Sequence, residues 1–242
     1  VKSKVELTAK IERFDSFWGG TKDVEKGYDL FCKFYKSNYR EYAPNNRESR
    51  ILVISCGPGY FVNLLKKEGY SNVLGIDSDP NKVKFAVQKG LNCKTEYAFE
   101  FLGINKNQFD VIVAEQEINH LTKEEILRFL KLCWNNLNEN GTLIVHSLNG
   151  ANPITGAEAL AQNFDHFNTF TEYSLRQILQ HANFCAIKII PLNLYVFYTN
   201  PLNYIGMLFE KFNSLFFRLN FILYGKSDRI FTKKIAAICR KG

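Results

Sequence analysis

Two groups of residues in this chain have types and spacing that could do chemistry. The first is Ser55-Cys56-Gly57-Pro58-Gly59, which ends the apolar run Ile51-Leu52-Val53-Ile54 and precedes a helix-like stretch from Phe61 to Glu68. A strand that stops at glycines and reopens as a helix lets a ligand come close to the backbone. The helix start beyond it offers free N–H groups. A plain tight turn has the same signature, so the loop needs a second feature. Asp77 supplies one: it closes the next apolar run, Val73–Ile76, 18 residues after Gly59. A carboxylate there can accept hydrogen bonds from both hydroxyls of a ribose. Val62 stands where the dinucleotide-binding version of the loop has its third glycine, which argues against a dinucleotide.

The second group is the four histidines, His120, His146, His166 and His181. Imidazole titrates near neutrality and suits proton transfer. His120 follows the apolar run Val111-Ile112-Val113, and His166 follows Leu143-Ile144-Val145 at a longer distance. Both are expected in loops beyond strand ends, with His120 the first candidate for a base and His166 the second. A hydrogen-bonded loop residue is the alternative for each. His146, inside an apolar run, reads as a buried and satisfied histidine. His181, in Gln-His-Ala-Asn-Phe, reads as a surface residue at a helix end. Asp165, Glu117 and Asn149 could orient a histidine or bind acceptor hydroxyls.

These residues need a scaffold that holds strand ends together. Apolar runs at 51–54, 73–76, 111–113, 143–145, 186–190 and 235–239 alternate with helical patterns. Asp79-Pro80 opens one helix as cap and first residue. Thr122 with Glu125 forms a capping box ahead of Ile126, Phe129, Leu130, Cys133 and Leu137. Such alternation predicts a mostly parallel sheet with helices on both faces. Ligands of such sheets bind beyond the carboxyl ends of the strands. Residues 1–49 look helical, with scattered aromatics that include Phe14, Phe17, Trp18, Tyr28, Phe31 and Tyr35. From Ile205, apolar residues at 208, 209, 212, 215, 216, 219 and 223 mark one face of a long helix, with Phe217 and Phe221 off it. An inserted cap packed on the sheet is the expectation; a homodimer surface or a membrane-surface contact through 192–224 are the alternatives.

The chain has 242 residues, 46% of them hydrophobic, which suits one α/β domain. Lys and Arg number 31 against 24 for Asp and Glu, a net charge of +7. No basic run exceeds two residues, so no nucleic-acid partner is expected. None of the six cysteines is spaced as CxxC, and most lie in apolar runs, so buried reduced thiols are expected. With no signal-peptide pattern and no span of about 18 apolar residues, a cytoplasmic setting is expected.

The segment Ile51–Phe61 resembles motif I of class I methyltransferases dependent on S-adenosylmethionine (SAM). Gly75-Ile76-Asp77-Ser78-Asp79-Pro80 resembles their acidic-loop motif. Phe109–Leu121 is similar to the motif after strand four, and Leu137–Leu143 to the loop before strand five. The match spans roughly residues 50–190, with all four motifs in order. The resemblance implies a Rossmann-like seven-stranded, mostly parallel sheet in a single domain. A helical N-terminal lid would cover 1–49, the core 50–190, a helical cap 192–226 and the last strand 230–240. SAM would be the cofactor and S-adenosylhomocysteine its product.

By family position, Gly57 and Gly59 would line the methionine part, with Ser55 and Cys56 in the same loop. Asp77 would hold the ribose, Ser78 and Ala98 would lie by the adenine, and Glu115 near the sulfonium. No metal is implied. The chain departs from the family pattern in three places: Val53 replaces an acidic residue, Ser55 a first glycine and Tyr97 a frequent Asp. Val53 and Ser55 put the methionine-ammonium contact in doubt and keep a noncatalytic SAM-binding protein as an alternative.

Residues 148–179 resemble a narrower group, the methyltransferases of bacterial capsule and lipopolysaccharide sugar biosynthesis. That resemblance carries through Leu148–Pro153, Phe164-Asp165-His166-Phe167 and Ser174-Leu175-Arg176. Leu148 replaces that group's Pro, and His166 directly follows Asp165. The implied acceptor is a hydroxyl of a sugar or polysaccharide precursor. A lipid-linked acceptor, or a phosphate- or amine-type group, stays open as an alternative.

Overall fold

A computed structural model describes residues 21–104, 108–115, 117–161, 166–193 and 202–242. Seven strands form one sheet in the order β3-β2-β1-β4-β5-β7-β6. They are β1 (Ile51–Ile54), β2 (Val73–Asp77), β3 (Cys93–Thr95), β4 (Phe109–Ala114), β5 (Leu137–Leu148), β6 (Phe184–Leu192) and β7 (Lys234–Lys241). Only β7 runs against its neighbours; the β1–β2, β1–β4, β2–β3 and β4–β5 pairs are parallel. The strand order reverses between β1 and β4, so the loops after these two strands diverge and leave a crevice at their carboxyl ends.

Eight helices are described: α1 (Thr21–Tyr39), α2 (Tyr60–Lys67), α3 (Pro80–Gln88), α4 (Ala98–Ile104), α5 (Lys123–Asn136), α6 (Gly156–Ala161), α7 (Glu172–His181) and α8 (Leu202–Leu223). Their starts follow local chemistry. Asp79 caps α3 by accepting from the Asn81 N–H, with Pro80 first in the helix. Thr122 and Glu125 close a reciprocal capping box on α5, and Thr171 and Ser174 do the same on α7.

The sheet separates two cores, because alternate strand residues point to opposite faces. Val53, Val113, Ile144 and Ala236 pack with α1, α2 and α3. Leu52, Ile112, Leu143 and Ala237 pack with α4, α5 and α7.

Several expectations change. The short β3 carries no apolar run, and β5, β6 and β7 extend beyond their apolar cores. Within 1–49 the helix covers Thr21–Tyr39, continued by a 3-10 turn at Arg40–Tyr42; residues 1–20, with Phe14, Phe17 and Trp18, lie outside the described residues. Residues 194–201 of the expected cap do too. Cys56, Cys93, Cys133 and Cys239 are buried, but Cys185 is exposed.

The largest correction concerns α8. Its apolar face was expected against the sheet, and it points outward: Leu208 is 70% and Phe212 65% exposed. The rings that meet the body are the two off that face, Phe217 and Phe221, whose centroids lie 6.1 and 4.7 Å from that of the buried Phe231. Periodicity reports that one side of a helix is apolar and is silent about what that side meets. Among the described residues, no helix is long and apolar enough to cross a membrane.

Candidate active site

The crevice begins where β1 ends. Ser55, Gly57 and Gly59 all take positive φ (57°, 55° and 80°), so the chain turns sharply before α2 opens at Tyr60. Gly59 has to be glycine on two counts: its φ is left-handed, and a Cβ there would stand 2.8 Å from Leu91 Cδ1 and 3.1 Å from Ala86 Cβ. Cys56 is buried in the turn, and its thiol is pushed far up in pKa by a hydrogen bond with the Cys93 thiol and by burial. It is inert as a nucleophile.

Asp77 stands at the end of β2, partly buried. Its Oδ2 accepts from the Gly57 N–H at 2.8 Å and its Oδ1 from the Asp79 N–H at 2.9 Å. These bonds fix the carboxylate against the loop. Each oxygen keeps lone-pair capacity for one more donor, which suits two adjacent ribose hydroxyls. Ser78 is exposed just beyond. Ala98 begins α4 and packs at the edge of the second core, while Tyr97 before it is 51% exposed.

Glu115 follows β4, next to the loop after β1; its N–H donates to the Ile54 carbonyl at 3.3 Å. Tyr35 of α1 donates to its Oε2 at 2.6 Å. The other oxygen, Oε1, is closed off from solvent and has no hydrogen-bond partner. Burial raises this carboxyl from 4.5 to about 7, against the lowering effects of the Tyr35 bond and the Lys234 charge. An unpartnered carboxylate oxygen in a shielded position is costly unless a donor or a cation reaches it. The crevice is chemically compatible with SAM: a carboxylate with spare acceptor capacity at one end, and at the other a shielded carboxyl whose ionised form a nearby positive charge would favour.

The helix α1 lies over this crevice. Tyr28 donates to the Pro58 carbonyl at 2.7 Å, Phe31 stacks on Tyr60 at 4.6 Å between centroids, and Tyr35 packs on Phe61 at 4.6 Å. Further along, Asn38 Oδ1 accepts from the Asn193 N–H at 2.9 Å, just past β6. A single helix thus touches the residues beyond β1, β4 and β6. Residues 28, 31 and 35 sit at helical spacing, a signal that could have singled them out; their partners could not be read from the sequence.

His120 and His166, one after β4 and one after β5, are brought together, edge to face, with ring centroids 4.7 Å apart. Asn119 and Asn168 make this meeting. The buried Asn119 donates to the Asn168 carbonyl at 2.7 Å, and its own carbonyl accepts from the Phe167 N–H at 2.9 Å. Asn168 Nδ2 in turn donates to the Leu121 carbonyl. Neither asparagine stood out in the sequence.

His146 is fully buried, as expected, but it is not satisfied. Neither ring nitrogen has a hydrogen-bond partner, and burial with the Lys234 charge holds its pKa well below the usual range, so it stays neutral. His181 is exposed at the end of α7, as expected. Asn149 is a structural clamp: its Nδ2 donates to the Ile230 and Thr232 carbonyls, and its Oδ1 accepts from the Ala151 N–H. Both amide hydrogens are therefore committed before any acceptor arrives. Asp165 and the Glu117 side chain lie outside the described residues.

This fold is shared with solved methyltransferase structures. A SAM-dependent methyltransferase from Archaeoglobus fulgidus superposes with a TM-score of 0.64 at 22% identity, over 88% of this chain and 99% of that one. A SAM-dependent methyltransferase from Mesorhizobium loti gives 0.59 at 14% identity, over 87% and 99%. Phosphoethanolamine N-methyltransferase 2 from Haemonchus contortus, in complex with SAM, gives 0.61 at 12% identity; the match covers 96% of this chain and 60% of that longer one. No curated protein matches by sequence. The methyltransferase-domain family model matches residues 28–189, from the middle of α1 almost to the end of β6. With the crevice, the part of the covering helix from Tyr28 onward and more than half of the chain inside that match, the chain belongs to the methyltransferase-domain family.

Proposed function

We propose that this chain transfers the methyl group of SAM to a hydroxyl of a small polar acceptor, a sugar or polysaccharide precursor, in the cytoplasm. The observation that carries the reading is the pairing of His120 and His166 at the carboxyl ends of β4 and β5. An imidazole there can take the proton that an alcohol loses as its oxygen accepts the methyl group. A positioned base of this kind typically contributes ~10²–10⁴-fold.

When bound, SAM supplies an electrophilic methyl on a positively charged sulfur. The protein's part is to position and to shield, and positioning alone is worth on the order of 7–11 kcal/mol. The turn Ser55-Cys56-Gly57-Pro58-Gly59 takes the methionine end, Asp77 the ribose, and Ser78 and Ala98 flank the adenine. Glu115 faces the sulfonium, its charge drawn out by that cation. Helix α1 is the lid, keeping water from the crevice. His120 is the first candidate for the base and His166 the second, each held by the Asn119–Asn168 clamp. The resemblance of residues 148–179 to enzymes of bacterial surface-sugar biosynthesis supports a carbohydrate acceptor. A second reading, transfer to a lipid-linked acceptor, draws on the outward apolar face of α8.

The test is calorimetry with SAM on the native chain and on Asp77→Ala, followed by transfer of labelled methyl to a panel of sugar nucleotides and polysaccharide precursors. The reading expects SAM binding that Asp77→Ala weakens by about tenfold or more, as loss of hydrogen bonds to a charged acceptor implies. It also expects label on an acceptor oxygen. SAM affinity equal in both proteins sinks the cofactor assignment. Label found only on nitrogen sinks the hydroxyl assignment.

A further inference from the structure

We infer that α8 is an interfacial helix that seats this protein on the surface of an anionic lipid bilayer. The outward arc of Leu202–Leu223 carries Ile205, Leu208, Phe209, Phe212, Leu215, Phe216, Leu219, Ile222 and Leu223, each between 50% and 84% exposed. At helical spacing they fall on one arc of the helix, an exposed apolar surface of the kind that marks an interaction site rather than scattered single side chains. The helix rests on the body through Phe217 and Phe221 against Phe231, so its apolar side is held away from the core.

Charge decides between the candidate occupants of this face. Lys211 and Arg218, seven residues and two turns apart, lie on one flank of the arc, and both are exposed. Lys226 and Arg229 follow, also exposed, with the partly buried Asp228 between them and Glu172 beside Arg229. The helix's one acid, Glu210, is on the opposite side, half-buried, where burial raises its pKa and a backbone bond with Lys233 offsets part of that rise. Among the described residues of α8, the solvent side thus has cations and no anion. A second copy docked face to face would bring a similar cationic flank and no carboxylate from this helix. A bilayer with anionic headgroups meets both features at once: its acyl boundary takes the apolar arc, while Lys211 and Arg218 reach up to the headgroups. No described helix is long and apolar enough to cross the membrane, whereas a helix with one apolar arc and cations on its flank is suited to lie on it.

The anchoring gives this docking an orientation. After α8 the chain is tied to the loop that follows β5: Asn149 Nδ2 donates to the carbonyls of Ile230 and Thr232 at 2.9 and 2.8 Å, and Asn152 Nδ2 donates to that of Phe231 at 2.6 Å. That loop begins at the carboxyl end of β5. The helix is therefore rooted at the carboxyl-end side of the sheet.

The inference does not depend on which acceptor is methylated, and its test reads membrane binding alone. The intact chain is sedimented with vesicles of phosphatidylcholine containing phosphatidylglycerol, with pure phosphatidylcholine vesicles and without lipid. Binding is expected to the anionic vesicles, at least about tenfold stronger than to the neutral ones and weakened by salt within the range set by screening. Phe212→Asp with Phe216→Asp abolishes it, and Lys211→Glu with Arg218→Glu removes the preference for anionic lipid. All four positions are exposed, so circular dichroism and SAM affinity stay unchanged in these variants. The inference is overturned if the chain ignores anionic vesicles. It is equally overturned if sedimentation velocity finds a stable dimer that Phe212→Asp with Phe216→Asp dissociates and vesicles do not.

Discussion

Tyr35 and Glu115 are 80 residues apart in sequence, yet the phenol of the first donates a 2.6 Å hydrogen bond to the carboxylate of the second. The bond joins the helix over the crevice to the end of β4. It also sets the state of a carboxyl whose pKa burial has raised to about 7.

A pH dependence follows, and its sign can be worked out. Glu115 titrates at about 7 when folded and at about 4.5 when unfolded. The unfolded chain therefore releases this proton first, and the group costs stability progressively as pH rises from 4.5 through 7. Thermal unfolding of Glu115→Gln should show that slope flattened. Binding of a cation beside Glu115 should release its proton. SAM affinity should therefore rise from pH 6 to about pH 8, and Glu115→Gln should remove the rise. A pH-independent affinity in the native chain would separate Glu115 from the sulfonium.

Tyr35→Phe removes one donor from the ionised carboxylate. The expected loss of stability is about 1–3 kcal/mol near pH 8, where Glu115 is charged, and less near pH 6, where it is protonated. Denaturant titrations at the two pH values read the difference. Equal losses at both would mean that the bond is indifferent to the charge.

The histidine pair makes a kinetic prediction. His120→Ala should lower kcat by ~10²–10⁴-fold if it is the base, with SAM affinity unchanged. His166→Ala should do less, and the double variant little more than His120→Ala, because the two rings act as one unit. Asn119→Ala removes the bond to the Asn168 carbonyl and should reduce kcat by freeing the loop that holds the two rings. If His166→Ala is the more damaging single change, the order of the two candidates reverses.

Gly59→Ala tests the turn. Strain at φ 80° and contact with Leu91 and Ala86 should cost about 1–3 kcal/mol of stability and weaken SAM binding in parallel. Gly27→Ala tests the seat of the covering helix, since a Cβ at Gly27 would stand 2.2 Å from Tyr60 Oη. It should loosen α1, raising hydrogen exchange at residues 24–39 while leaving the sheet protected.

His146→Leu should stabilise the protein by about 1 kcal/mol, because it removes two buried, unpartnered nitrogens from a site of similar volume. The native imidazole titrates far lower in the folded state than in the unfolded one, so it costs stability as pH falls below about 6.5. Acid unfolding should therefore shift to lower pH in the variant. A destabilised His146→Leu would show that the ring is held by a partner such as ordered water.

The sequence by itself determined the scaffold and the glycine turn. Asp79-Pro80 and Thr122 with Glu125 start helices through contacts within four residues, and alternating apolar runs dictate a covered sheet. These are local rules, so they can be read along the chain. It also brought out Asp77, since a strand end is marked by where an apolar run stops, while Glu115 came only through the family resemblance. What only the tertiary structure decided are the meetings between distant segments: Tyr35 with Glu115, His120 with His166 through Asn119 and Asn168, and Asn149 with the chain after α8. No spacing encodes these, because each depends on which loops the strand order places side by side. The outward face of α8 belongs with them: its apolar period was plain in the sequence, but what the face meets depends on Phe231, held by contacts from another loop.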